Sequence, residues 1–309
     1  MKKPLVSVIA LCYNHGPYVF ESLESVAKQV GVPFELIIAD DASTDCSIQE
    51  IDRFIRQYSH LEIKFFTQKN NIGNCKLFNQ CLKYAQGEYI VDLATDDVLK
   101  PNALVNLSNA LNALSPDYGI VFSNTELMDE EGTYIRHHYT INQQGKSIQG
   151  IKDGDIYALL VEKYYLSPVS LMTRKSVYEY LGGYDEQLAY EDFDFWVRAA
   201  RNFKFCYVDE VLSQKRILKN ALSSRFYSAK YKAMFLSTAR VCQKIAWMNV
   251  NELEQNALRP RIRYESRQAM RYGVREAVVV YYDLLKHHQT KSWKDYGWMC
   301  LLRIYLSFK

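Results

Sequence analysis

Val6-Ser7-Val8-Ile9-Ala10-Leu11-Cys12-Tyr13-Asn14 and Phe34-Glu35-Leu36-Ile37-Ile38-Ala39-Asp40-Asp41 are two apolar runs, each broken off abruptly by polar residues. A short run without strict polar alternation reads as a strand buried on both faces. Between them Val19, Phe20, Leu23, Val26 and Ala27 recur at helical spacing. Strand, helix and strand in that order make a βαβ unit, and such units build a parallel sheet.

Working outward, Ile63 to Phe66, Tyr89 to Leu93 and Gly119 to Ser123 supply further strands, with helices expected over about 47–58, 76–85 and 101–114. Pro101 suits the first position of the last helix. Open α/β sheets bind ligands outside the carboxyl ends of their strands. Tyr13-Asn14, Asp40-Asp41 and Asp96-Asp97 each follow directly on an apolar strand, so the three clusters are expected to meet at one edge. From about 125 to 170 the pattern loosens around Gly132, Gly145, Gly150 and Gly154, as in an acceptor-side loop region. A helix over about 175–181 ends at Gly182-Gly183, another starts near Glu191, and the chain beyond 219 reads as helical.

The 309 residues suffice for one large α/β domain with an appended subdomain, and 48% hydrophobic content excludes disorder. Seven scattered cysteines lack the paired spacing of a zinc or redox site and read as thiols of a reducing cytosol. Met1-Lys2-Lys3 ahead of Leu5 to Cys12 imitates a signal peptide, but no small-residue cleavage site follows and the run reads as a strand. No apolar run reaches the ~18 to 20 residues that span a bilayer. The expectation is a soluble or peripheral protein.

Charge divides the chain. Residues 1–218 hold 21 basic against 29 acidic residues, and residues 219–309 hold 17 against 6, so the tail is strongly basic. Anionic lipid, a lipid-phosphate acceptor, nucleic acid or a solvated helical face would each suit it. Trp293, Tyr296, Trp298, Met299, Leu301, Leu302, Ile304, Tyr305, Leu306 and Phe308 crowd its end beside Lys291, Lys294, Arg303 and Lys309. That composition fits an interfacial helix, a core helix or a dimer helix equally. Arg259, Arg261, Arg263, Arg267, Arg271 and Arg275 imitate a nucleic-acid stripe, but no nucleic-acid module accompanies them.

Three acidic clusters bear chemistry. In Asp40-Asp41-Ala42-Ser43-Thr44-Asp45 the last three residues suit a helix start. Adjacent Asp40 and Asp41 at a buried strand end instead call for a donor-bearing ligand, such as the imide N–H of uracil or thymine. Ala94-Thr95-Asp96-Asp97 offers paired carboxylates for Mg²⁺ or Mn²⁺ bridging to a diphosphate, or simply acid ahead of a helix. In Glu191-Asp192-Phe193-Asp194, helical geometry puts Glu191 and Asp194 on one face and points Asp192 elsewhere, so one acid can be set apart for general-base work; an acidic first turn favoured by the helix dipole explains the cluster equally.

Taken in order, Val6–Asn14, Asp40–Asp45, Asn71-Ile72-Gly73 with Asn79, Gly87-Glu88-Tyr89-Ile90 leading to Asp96-Asp97, and Gly182-Gly183-Tyr184-Asp185 leading to Glu191-Asp192 resemble the family-two inverting glycosyltransferases of the GT-A fold. The likeness covers about residues 4 to 220. It implies an α/β fold of GT-A type: a Rossmann-like, nucleotide-sugar-binding half over 1–125, an acceptor-binding half with the general base over 126–218, and a helical, basic C-terminal extension over 219–309. By the same resemblance Tyr13 and Asp40 would hold the nucleotide base, with Leu11, Asn14, Asp41 and Thr95 also at the nucleotide; Lys76 would reach the diphosphate, a plain surface lysine being the other reading. Asp96 would occupy the metal position of the Asp-x-Asp motif with Asp97 beside it, and Asp192 would be the general base of the Glu191-Asp192 pair. The implied cofactor is Mn²⁺ or Mg²⁺. The resemblance implies a nucleotide-sugar donor, a saccharide acceptor and a setting in bacterial surface-polysaccharide synthesis; the basic, aromatic tail adds an anionic membrane surface and suits a lipid-linked saccharide acceptor, the scattered thiols point to the cytoplasm, and no nucleic acid is expected.

The chain departs from the family pattern twice. Ala94 stands where the motif has its first acid, and Leu218 stands where relatives often place a metal-ligating histidine. Arg216 or Lys219 is the alternative source of positive charge at the leaving group. Loss of both polar positions also admits a binding subunit that keeps the fold without catalysis. A nucleotidyltransferase would need a better triphosphate loop than Asn14-His15-Gly16-Pro17.

Overall fold

The computed structural model describes residues 5–219, 228, 231–287 and 292–307. The chain divides into two compact units, interleaved along the sequence: residues 1–155, 166–185 and 202–218 form the first, and residues 156–165, 186–201 and 219–309 the second. Segments 156–165 and 186–201, which the sequence reading places within 126–218, are thus grouped with the helices that follow residue 219.

The first unit is built on β1 (Val6–Cys12), α1 (Val19–Ala27), β2 (Phe34–Asp40), α2 (Ser47–Gln57), β3 (Ile63–Thr67), α3 (Asn74–Leu82), β4 (Tyr89–Ala94), β5 (Val98–Leu99), α4 (Ala103–Asn112), β6 (Tyr118–Met128) and β7 (Tyr134–His137). After a segment of the second unit it continues with β8 (Leu171–Arg174) and α6 (Lys175–Leu181), and closes with β9 (Lys204–Arg216). One sheet runs β3-β2-β1-β4-β8-β6-β9-β5, with β7 on the side of β6. The β3-β2-β1-β4 half is parallel, as the βαβ pattern requires. β8 is antiparallel to both β4 and β6, so the sheet is mixed rather than parallel throughout. Pro101 lies in the turn before α4, whose N-cap is Asn102.

All seven residues of β1 are buried, and Val8, Ala10, Leu36, Ile38, Val91 and Leu93 join Leu23 and Val26 of α1 in the main core. A strand with sheet on both edges and helices on its faces has no solvent side, which is why it reads as continuous apolar sequence.

The second unit comprises α5 (Tyr157–Glu162), α7 (Asp192–Ala200), α8 (Lys232–Met248), α9 (Glu252–Arg271), α10 (Arg275–His287) and α11 (Trp293–Ser307). Asn251 caps α9 by accepting from the Glu254 N–H at 2.9 Å while its amide donates to the Glu254 carboxylate at 2.8 Å. Charged side chains do much of the internal joining. Arg201 pairs with Glu254 at 2.8 Å, and buried Arg261 donates to the Val161 carbonyl at 3.2 Å while its guanidinium lies 4.6 Å from the Phe193 ring centre.

Candidate active site

The register of the parallel strands sets three loops side by side. Cys12 of β1 lies opposite Asp40 of β2, and Leu11 lies opposite Ala94 of β4, so the chains after 12, 40 and 94 leave the same sheet edge. Hydrogen bonds knit the first two together: Asn14 N–H to Ser43 Oγ at 2.8 Å, Thr44 N–H to Asn14 Oδ1 at 2.8 Å, His15 N–H to Ser47 Oγ at 3.0 Å and Gly16 N–H to Asp45 Oδ2 at 2.8 Å. Asn14 adopts φ 56°, a left-handed conformation that asparagine tolerates. A Cβ on Gly16 would fall 2.5 Å from Cys46 Sγ, so only glycine lets these loops approach. Burial would raise the Asp45 carboxyl, but donors from Ser47 and Gly16 outweigh it and hold the group below its usual range.

The two adjacent aspartates meet different fates. Asp41 accepts from the N–H groups of Ile72 and Gly73 at 2.8 and 2.9 Å, pinning the Asn71-Ile72-Gly73 turn ahead of α3. Asp40 is wholly buried; its Oδ1 accepts the Ser43 N–H at 2.9 Å, but Oδ2 has no hydrogen-bond partner among the described residues. A buried carboxylate oxygen without a donor is costly and rare in a native protein. Tyr13, on the loop that leaves the neighbouring strand, is 47% exposed. Leu11 is buried in the strand, and Lys76 is exposed on the first turn of α3.

At the end of β4, Thr95 is buried and ties the loops together, donating to the Leu11 carbonyl at 3.1 Å with His15 Nδ1 3.0 Å from its hydroxyl. Asp96 keeps a little exposure, and its carboxylate stands 3.8 Å from His15 Nδ1. Asp97 turns inward, where Oδ1 accepts the Arg216 N–H at 2.8 Å. Burial and the adjacent Asp96 charge push its carboxyl up to about 8. Arg216 donates to the carbonyls of Asp96 and Glu130 at 3.1 Å each and to the Glu21 carboxylate at 2.7 Å, with Tyr18 4.7 Å beneath its guanidinium. Being 3% exposed and so engaged, Arg216 braces the Asp96-Asp97 turn, and the expectation that it replaces missing charge at the leaving group is corrected.

These residues provide a partial fit to a divalent ion. Among the described residues no three His, Cys, Asp or Glu side chains converge. Asp96, with His15 beside it, offers one carboxylate, the minimum for Mg²⁺ or Mn²⁺ when diphosphate oxygens and waters complete the shell. Nothing in the sequence marks His15 for that neighbourhood, because the proximity arises from strand register across 80 residues.

In the second unit α7 begins at Asp192 with Glu191 as its N-cap. Asp194 is fully buried between Arg198 and Lys244, each at 2.6 Å, and is thereby occupied in holding α7 to α8. Asp192 is only partly buried. It accepts a hydrogen bond from the Tyr164 hydroxyl and one from the Phe193 N–H at 2.6 Å. Desolvation of the Tyr164 hydroxyl, with the Asp192 and Glu191 charges beside it, raises that phenol well above its ordinary value, so it remains a donor. Tyr164 escapes sequence reasoning because it lies 28 positions before Asp192, with a strand and a helix between the two.

The model of glycosyl transferase family 2 matches residues 7–181, more than half of the chain. An uncharacterized protein of Mycobacterium tuberculosis is 25% identical, over 83% of this chain and 79% of its own length. An uncharacterized glycosyltransferase of Methanocaldococcus jannaschii is 29% identical, over 70% of this chain and 72% of its own length. Among solved structures, residues 1–349 of Staphylococcus aureus TarS in complex with UDP-GlcNAc superpose with a TM-score of 0.69 at 17% identity, covering 97% of this chain and 88% of that one. The mannosyltransferase PcManGT of Pyrobaculum calidifontis, with GDP-Man and Mn²⁺, gives 0.60 at 16% identity, covering 99% and 84%. With its mixed sheet and its loops gathered at one strand edge, the chain has the GT-A fold and belongs to glycosyl transferase family 2: it is a glycosyltransferase.

Proposed function

We propose that this glycosyltransferase takes a sugar from a nucleoside diphosphate, UDP or dTDP in preference, and transfers it with inversion to an acceptor hydroxyl. The observation that carries the nucleotide reading is Asp40 Oδ2, buried and unpartnered among the described residues at the end of β2. The imide N–H of a uracil or thymine ring supplies the donor this oxygen lacks, and Tyr13 supplies a ring face. Leu11 and Asn14 then shape the same mouth, Asp41 and Thr95 act by holding its loops, and Lys76 extends toward the diphosphate. TarS, bound to UDP and UDP-GlcNAc, supports a nucleotide-sugar donor by likeness of fold.

Asp96 would hold Mg²⁺ or Mn²⁺, with Asp97 maintaining the turn. The ion, when bound, neutralises charge on the departing diphosphate. Asp192 would accept the proton of the acceptor hydroxyl as its oxygen attacks the anomeric carbon, with Tyr164 holding the carboxylate in place and Glu191 beside it. Attack opposite the leaving group inverts the configuration. Residues 1–125 thus serve the donor, 126–218 the acceptor and base, and 219–309 form a basic extension. The acceptor is a saccharide or lipid-linked saccharide of surface-polysaccharide synthesis on the cytoplasmic side, a setting supported by seven thiols.

Thermal-shift titration with UDP, dTDP, GDP, CDP and ADP, each with and without Mn²⁺, tests this reading, because a ligand of the native state raises the melting point. Selective stabilisation by UDP or dTDP is expected; stabilisation by none of the five would overturn it.

A further inference from the structure

Helix α11 buries Leu302 but turns other apolar side chains outward. Trp293, Tyr296, Cys300 and Ile304 recur at steps of three and four, which places them on one face. Trp293, Tyr296 and Ile304 are 79%, 58% and 55% exposed, and Leu301 beside them is 43% exposed. The opposite face is fixed by polar contacts. Asp295, the only acid of the helix, is fully buried and paired with Arg259 at 3.2 Å and with Arg263, and also accepts from Ser292. Trp298 donates from Nε1 to Ser266 Oγ at 2.8 Å beneath the Arg267 guanidinium. Arg259, Arg263 and Arg267, three members of the arginine stripe, are thus spent on anchoring α11.

The outward face therefore bears no negative charge. Lys294 and Arg303 flank it, both exposed, and residues 219–309 hold 17 basic against 6 acidic side chains. An aromatic and aliphatic centre with basic flanks and no acid is complementary to the interface of an anionic bilayer. A two-fold pairing of α11 with a second copy would instead oppose basic flanks to basic flanks. Fifteen helical residues extend roughly 22 Å, and among the described residues no helix is long and apolar enough to cross a membrane, so α11 would lie in the interface. Lys291, Phe308 and Lys309 lie outside the described residues.

We propose that α11 docks this chain onto an anionic membrane surface, with Trp293, Tyr296, Leu301 and Ile304 entering the interface and Lys294 and Arg303 meeting lipid phosphates. Vesicle binding needs neither donor nor acceptor, so this proposal stands or falls apart from the transferase reading.

The test is flotation of the full chain with phosphatidylcholine vesicles, with and without phosphatidylglycerol. Flotation only with phosphatidylglycerol, weakened by salt, is expected. Trp293→Ser/Ile304→Ser should reduce the vesicle-bound ratio by about tenfold, equivalent to about 1.4 kcal/mol, and Lys294→Glu/Arg303→Glu should remove the dependence on phosphatidylglycerol. Trp247→Ser, at an 87% exposed tryptophan on α8, should bind as the unaltered chain does. Absence of flotation with phosphatidylglycerol, wild-type flotation of Trp293→Ser/Ile304→Ser, or an equal loss in Trp247→Ser would overturn the proposal. So would sedimentation showing a dimer that Trp293→Ser/Ile304→Ser dissolves, since a second copy would then cover the face.

Discussion

Replacing Gly183 by alanine should destabilise the first unit severely, whereas the same change at Gly182 should not. Both glycines have left-handed φ, 80° and 73°, so each substitution carries the strain of an L side chain there, ~1–2 kcal/mol. At Gly182 nothing lies within 4 Å of the added Cβ, and the cost ends there. At Gly183 the Cβ would fall 2.4 Å from Asn79 Oδ1 and 3.1 Å from its Cγ. That amide accepts from the Tyr184 N–H and donates to the Tyr184 carbonyl, both at 2.9 Å, and it cannot move aside without losing both bonds. Two net hydrogen bonds add about 2 kcal/mol, making ~3–4 in all. For a unit of about 190 residues this corresponds to a melting point lower by roughly 6–16 °C. Thermal and urea unfolding of Gly182→Ala, Gly183→Ala, Asn79→Ala and the double Asn79→Ala/Gly183→Ala would measure it. Once Asn79 is gone the alanine meets no clash, so the double variant should be less than additive by ~1–2 kcal/mol. Equal effects at the two glycines, or full additivity in the cycle, would refute the account.

Asp40→Asn should weaken UDP binding by about ten- to a hundredfold, the worth of a charge-assisted hydrogen bond, and titration calorimetry giving an unchanged affinity would remove Asp40 from base recognition. Asp192→Asn should abolish sugar transfer while sparing UDP binding; turnover at the normal rate would take the general-base role from it. For Asp97 the folded value of about 8 exceeds the ordinary 3.8, so the folded state retains a proton that the unfolded state releases. Stability in EDTA should therefore fall as pH rises through the window between those two values, and Asp97→Asn should flatten that fall. Urea midpoints at about pH 5 and about pH 9 report it, and an identical slope in the variant counts against a raised Asp97.

The apolar runs 6–12, 34–40 and 89–94 were legible because strands buried on both faces leave a near-continuous signature, and the helices between them carry period 3.6; β3, the partly buried strand at the end of the sheet, showed through the shorter run Ile63 to Phe66. β9 was not. Its thirteen residues pair with β6 through three register shifts, so polar and apolar positions never settle into period two. β8 and α5 are four and six residues long, too short to show a period at all.

Sequence alone determined the family, the strand-end clusters and the separation of Asp192 from Asp194, since each depends on motif order or on the fixed spacing of a strand or helix. It could not distribute roles within the clusters. Asp40 and Asp41 are chemically identical neighbours, yet one pins the Ile72-Gly73 turn and the other keeps a buried oxygen without a partner. Asp96 and Asp97 divide likewise around Arg216, some 120 residues on. The tail composition suited core and interface alike until Asp295 was found facing inward on two arginines, which forces Trp293 and Ile304 outward. In each case the deciding partner is distant along the chain, and only packing brings it near.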